Sequence, residues 1–178
     1  MKPTFQASAV AHVVRAGRVV LTTMIVTMLP MALPAHAQTP EARCEKMLPA
    51  AKLQAAAGAG LNAVDARVDK SGELECAWMR RAPNTMASVS IQYYDKKFIA
   101  ATNGKTADAF YEDLIAPIEA INKSRREAVA GVGKRAVLVP ADPQRLIVIE
   151  RDDGLVRVVM NNLSKVQAIA VAKAVAAP

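Results

Sequence analysis

Two cysteines, Cys44 and Cys76, and four basic doublets carry most of the chemistry this sequence could perform. A thiol pair can crosslink, ligate a metal or exchange electrons. Electron exchange calls for Cys-x-x-Cys spacing, which is absent. A metal site needs further soft ligands, and both histidines, His12 and His36, fall in residues 1–37. A structural crosslink is the remaining use. The serines beyond residue 37 are Ser71, Ser88, Ser90, Ser124 and Ser164. None lies in a Gly-x-Ser-x-Gly elbow, none has a lysine three residues on, and no histidine stands downstream to activate them. Glu73 and Glu75 share one side of an extended segment and would suit a carboxylate dyad, but paired acids on an outward strand face are the ordinary reading. Gly131-Val132-Gly133 lacks the third glycine and the Lys-Ser/Thr tail of a phosphate loop and reads as a turn. No catalytic residue, metal or cofactor is expected.

Binding is the better-supported chemistry. The doublets Arg80-Arg81, Lys96-Lys97, Arg125-Arg126 and Lys134-Arg135 are candidate contacts for an anionic polymer or an acidic protein, if the fold brings them together. Tyr93 and Tyr111 fall on core faces of their segments, leaving Tyr94 and Phe98 as candidate cleft aromatics. Basic and aromatic residues do not interleave as on a base-stacking surface, so nucleic acid is not an expected partner.

The chain has 178 residues and a net charge of +7, but those totals mix two segments. Residues 1–37 hold three of the 23 basic groups, no acid and all the histidine, so the remainder drops to +4. Without histidine, that remainder excludes a His-based triad, a His metal site and a His pH switch. Its size is one domain's worth, and its apolar content excludes disorder.

The first segment has the order of a secretory signal. Lys2, Arg15 and Arg18 make a positive start, residues 19–29 are apolar, Pro30 and Pro34 break the helix, and Ala35-His36-Ala37 offers small residues to a signal peptidase. Cleavage after Ala37 would leave Gln38 first. The apolar run falls well short of the roughly 20 residues a spanning helix needs, so no stable membrane span is expected after cleavage. No Arg-Arg pair precedes the run, which favours the general secretory route, and Glu41-Ala42-Arg43 before Cys44 is not a lipoprotein context. The expectation is a signal peptide at 1–37 and one domain at 38–178, periplasmic or secreted. Export places the thiols in an oxidising compartment, where a Cys44–Cys76 disulfide is expected.

The elements that must position these residues follow from periodicity. Thr39-Pro40-Glu41 starts a helix, Pro49 restarts or kinks it, and Gly58 ends it. Residues 61–69, 73–81 and 86–94 alternate as three strands separated by turns at Lys70-Ser71-Gly72 and Pro83-Asn84. Asn103-Gly104 and Thr106 open a helix whose apolar stripe is Phe110, Tyr111, Leu114, Ile115, Ile118 and Ile121, with a kink or division expected at Pro117. A short strand at 136–140, a hairpin turning at Asp152-Asp153-Gly154, and a helix capped by Ser164 complete the chain. The predicted order is α-β-β-β-α-β-β-β-α, an α+β antiparallel sheet with helices packed on one face. The two strand-rich halves suggest a loose pseudo-repeat.

Several of these features coincide in one pattern. Cys44 precedes a helix ending at Gly58, Cys76-Ala77-Trp78 lies on a strand, Gly131-Val132-Gly133-Lys134-Arg135-Ala136-Val137 follows the long helix, and an Ala-rich helix closes the chain. Residues 44–175 thereby resemble small exported bacterial domains of unknown function, best known as actinobacterial lipoproteins, and the related extracytoplasmic sensor domain of a mycobacterial serine/threonine kinase. The resemblance implies a Cys44–Cys76 pairing, a non-catalytic fold and a cleft between sheet and helices. Where that family carries an acidic pair after its glycines, this chain has Lys134 and Arg135. The functional expectation is an exported binding domain recognising an anionic envelope component or a partner protein. The alternative is an inhibitor or immunity-type protein directed at a secreted toxin or hydrolase.

Overall fold

Thr39 accepts a hydrogen bond from the Ala42 amide and Pro40 takes the first helical position, so the chain enters α1, Pro40–Met47, at once. The computed structural model describes residues 38–82, 85–102 and 105–177. The expected signal peptide at 1–37 and the turn signals Pro83-Asn84 and Asn103-Gly104 lie outside the described residues. Pro49 separates α1 from α2, Ala50–Ala57, which ends at Gly58 with φ +91°. Three strands follow as a meander: β1, Asn62–Val68; β2, Leu74–Ala82; β3, Thr85–Asp95. The β1–β2 turn is wound around Asp69, whose carboxylate accepts from the amides of Ser71 and Glu73.

Asp95 then caps α3, Lys96–Ala101, by accepting from the Phe98 amide. Thr106 caps α4, Ala107–Asn122. Helix α4 runs through Pro117 as one element rather than dividing there, with Pro117 on its exposed side. It stops at Lys123, which is left-handed with φ 49°. Arg126 locks this corner, donating to both oxygens of Glu119 and of Glu112. The rest of the chain is β4, Glu127–Ala128; β5, Arg135–Ala141; β6, Gln144–Glu150; β7, Gly154–Asn161; and α5, Lys165–Ala176. Ser164 and Gln167 form a reciprocal cap on α5.

The strands make one seven-stranded antiparallel sheet in the order β1-β2-β3-β7-β6-β5-β4. The α+β class therefore holds. A three-strand meander, β1–β3, and a four-strand meander, β4–β7, meet at the β3–β7 pair, so the sheet shows at most a loose pseudo-repeat. It does not extend to the helices, which lie on opposite faces. Against the first face, Leu74, Cys76, Trp78, Val89, Ile91, Ile147, Ile149, Val156 and Val158 pack with Leu48, Leu53 and Ala57 and with Ala168, Val171 and Val175 of α5. Against the second, Tyr94, Val139, Leu146, Val148 and Leu155 pack under Ile99 of α3 and Phe110, Tyr111 and Ile115 of α4. The expectation of helices on one face is thus corrected. The physical reason is visible in β6, where Leu146, Ile147, Val148 and Ile149 are all buried: consecutive apolar residues point to both sides of a sheet and both sides need cover.

Cover on the second face is partial. Helices α3 and α4 contact β3, β5, β6 and β7, whereas Glu75, Ala77, Ser88, Ser90 and Gln92 over β2 and β3 stay half-buried. Strand β1 forms one edge of the sheet, and its register with β2 slips at Val64, a bulge that leaves Val64 exposed. Cys44 of α1 and Cys76 of β2 are joined by a disulfide with 5.7 Å between their Cα atoms. Trp78 lies two residues further along the same strand face, in the same core.

Candidate functional site

Residues that end strands on one side of the sheet build a cleft there. Register places Asp95 of β3 opposite Gly154, and Glu150 of β6 opposite both Leu155 and Arg135, while the Lys134 amide donates to the Glu150 carbonyl. The β6–β7 turn, the Gly133-Lys134 bend, the end of β3 and the C-terminal end of α5 therefore gather there, with α1 alongside. The cleft has a volume of 360 Å³, with Leu74, Met47 and Tyr93 as apolar lining and Arg43, Lys46, Arg151 and Asp153 as charged groups. A second hollow of 450 Å³ shares Arg151 and Asp153 and adds Gly133, Lys134, Asp152 and Ala176.

Arg151 organises this region. Its Nε and Nη2 donate to the two oxygens of Asp153 at 3.0 and 3.1 Å, and its Nη1 donates to the Val175 carbonyl near the end of α5 at 3.0 Å. The Tyr93 hydroxyl donates to the Asp153 carbonyl at 3.1 Å. Burial, reinforced by the Asp153 charge, pushes the Tyr93 phenol up to about 12, so it stays a proton donor at neutral pH. Lys134 reaches Asp152 at 3.0 Å, and that contact holds the Asp152 carboxyl below its ordinary value, with Lys96 adding to the effect. Among the described residues, Arg43 and Lys46 make no salt bridge. They stand three apart on one helix, the spacing that makes neighbours on its surface. The 360 Å³ cleft thus has three cations facing one carboxylate, and two of the three are uncommitted.

The four doublets do not converge. Arg80 donates to the Ala59 carbonyl and supports the Gly58–Gly60 bend. Arg81 pairs in register with Met86 near the start of β3, whereas Lys96 and Lys97 follow its end, roughly 30 Å away at strand rise. Arg125 is exposed beyond α4, and Arg126 is spent on Glu112 and Glu119. Arg135 contacts Asp108 and Glu150 and lies 4.1 Å over the Tyr111 ring. Of the eight, Lys134 lines the 450 Å³ hollow and the Lys96 charge acts on Asp152 beside it. Doublet spacing marked charge in the sequence without marking whether an acid stood opposite.

Tyr111 is buried in the second core as expected, and Tyr93 packs partly buried against the first, but the two candidate cleft aromatics are misplaced. Tyr94 is 6% exposed and clusters with Phe98 and Phe110 beneath α3 and α4, and Phe98 is half-buried. Neither lines the cleft. Tyr93, assigned to the core, does. Both neighbours are covered because helices flank both faces of the sheet at this end of β3. The cleft cations Arg43, Lys46 and Arg151 were missed because none belongs to a doublet. Their signal was the i, i+3 pair bracketing a cysteine that must point inward.

A third hollow, of 240 Å³, opens on the uncovered part of the second face and is lined by Arg67, Asp69, Glu73, Glu75 and Gln92. It brings the candidate dyad together with a third acid. Yet Asp69 is committed to its turn, and Glu75 accepts from Arg67 at 2.6 and 2.9 Å. Glu73 makes no salt bridge among the described residues, and burial, followed by the charges of Asp69 and Glu75, raises its carboxyl above the ordinary value against the opposing hydrogen bond from Tyr94. A raised folded-state pKa means that the folded protein binds the proton more tightly than the unfolded chain. Glu73 therefore detracts from stability once it is ionised, and the penalty disappears as pH falls below its unfolded value. Glu73→Gln should raise Tm at pH 7, and the gain should vanish below about pH 4. A Glu73→Gln Tm equal to or below wild type at pH 7 would contradict this balance.

Among the described residues, no group of three or more His, Cys, Asp or Glu side chains is arranged to hold a metal ion. No protein-family model, curated protein or solved structure matches the chain.

Proposed function

We propose that this chain is an exported, non-enzymatic binding domain whose cleft beside α1 takes an anionic group of an envelope component. The observation that carries the reading is the pair Arg43 and Lys46: two cations on one wall of a 360 Å³ cleft, neither of which makes a salt bridge among the described residues. An opposing anion would gain charge-assisted hydrogen bonds from both, with Arg151 already fixed on the far side. Met47, Leu74 and Tyr93 supply an apolar lining that limits water around the bound charge.

Export fits the disulfide, since such a crosslink persists in an oxidising compartment. It fits equally that no helix among the described residues is long and apolar enough to cross a membrane. The reading also agrees with the resemblance to exported domains in which a cysteine before the first helix pairs with a Cys-x-Trp strand.

The test is a calorimetric titration of the oxidised protein with polyphosphate and with a polyuronate, at low and high salt. One of the two should bind, and binding should weaken with salt. Arg43→Gln/Lys46→Gln should weaken it at least tenfold, equivalent to about 1.4 kcal/mol, while Arg81→Gln/Arg125→Gln leaves it within about twofold. Equal losses in both variants would mean that general surface charge, not the cleft, attracts the polymer. Failure of both polymers alongside capture of an acidic protein would move the assignment to a protein partner.

A further inference from the structure

The uncommitted cations of the cleft sit on a short helix with a single buried residue. Helix α1 has eight residues, and Cys44 is its one buried residue. Before Cys44 only Pro40 and Arg43 are even partly covered, and Gln38, Thr39, Glu41 and Ala42 are exposed. The remaining ties are at the far end: Met47, partly buried against the first core, Leu48, fully buried just after the helix, and the Glu45 carboxylate, which accepts from the Ala50 amide at the start of α2. Isolated helices of this length are marginal in water, so α1 depends on its attachment to the sheet. The covalent part of that attachment is the bond to Cys76, fully buried in β2, and among the described residues it is the only tie that holds the helix at Cys44 rather than at its far end.

From this arrangement we infer that the Cys44–Cys76 disulfide is the switch that assembles the anion cleft. Oxidation pins Arg43 and Lys46 to the cleft wall, and reduction releases the first turns of α1 and removes that wall. The inference rests on the anion-cleft reading and adds its regulation. A chain that had not yet met an oxidising compartment would lack the site, and binding would begin only once the crosslink had formed.

The redox step balances simply. A thiolate of an excess dithiol attacks one sulfur of the Cys44–Cys76 bond, giving a mixed disulfide and one protein thiolate. The second thiol of the reagent then closes its own disulfide and expels the other protein thiolate. Both cysteines finish reduced, and the dithiol is oxidised by two electrons. Because Cys44 is 5% exposed and Cys76 is fully buried, attack must wait for local opening of α1.

The test compares oxidised wild type with Cys44→Ala/Cys76→Ala by hydrogen exchange and by polyphosphate titration. Amides 43–48 should exchange roughly tenfold faster or more in the variant while those of β3 and β7 keep their protection, and polyphosphate affinity should fall at least about tenfold. If the variant does not fold, the same exchange measurement is made on folded wild type during reduction by dithiothreitol, with the β3 and β7 amides reporting that the sheet survives. Wild-type protection of amides 43–48 without the crosslink overturns the inference, whatever the titration gives. Release of α1 in a protein whose oxidised form binds neither polyphosphate nor polyuronate supports the structural switch and rejects the anion reading alone.

Discussion

Gly154→Ala should cost about 3 kcal/mol or more of folding stability, read as a lowered urea midpoint. A Cβ built on Gly154 would lie 2.1 Å from the Tyr94 carbonyl oxygen and 3.0 Å from the Asp95 Cα. These are backbone atoms of β3, so no side-chain rotation relieves the overlap. Relief requires β7 to move away from β3, and that pair joins the two halves of the sheet. The Tyr94–Leu155 register beside it belongs to the second core, so the disturbance reaches Phe110 and Ile99. Gly72→Ala is the control. Gly72 has φ +95° but open space around its missing Cβ, and its replacement should cost about 1 kcal/mol through backbone strain alone. Equal midpoints for the two variants would show that the β3–β7 contact tolerates a methyl group.

Removing the crosslink should have an effect of similar size. The two cysteines are 32 residues apart, and closing a loop of that length restricts the unfolded chain by the equivalent of about 3.7 kcal/mol. A typical domain has only about 5–15 kcal/mol in total. The enclosed stretch contains α2 and β1, and β1 is exposed along almost its whole length, so packing cannot easily replace the restraint. Urea unfolding of Cys44→Ala/Cys76→Ala against the oxidised protein measures the difference. A loss below about 1 kcal/mol would show that the chain is already compact around this segment before it folds.

The sequence showed elements better than it showed their surroundings. Capping chemistry placed α1, α4 and α5 at Thr39, Thr106 and Ser164, because a side-chain oxygen beside free amides is a local event. Alternation placed β2 and β3 for the same reason. The short helix α3 escaped because its signal, Asp95 ahead of Lys96-Lys97-Phe98, has too few residues for a periodic stripe. Two-sided burial was written in the unbroken runs at 136–139 and 146–149 and was missed by reading strands for alternation alone. That miss carried over to Tyr94, whose cover by α3 and α4 is a tertiary fact. The cleft was the least legible feature, since it depends on which cations lack acids, and pairs such as Arg135–Asp108 and Lys165–Glu127 are set by the fold rather than by neighbourhood in sequence.

Gln38 and Ala177 both line the 360 Å³ cleft. Positions 38 and 177 therefore both lie at the rim of that opening. A label or tether attached at either position would crowd the opening, and labels belong instead on the far side of the molecule, near Arg81 or Met86.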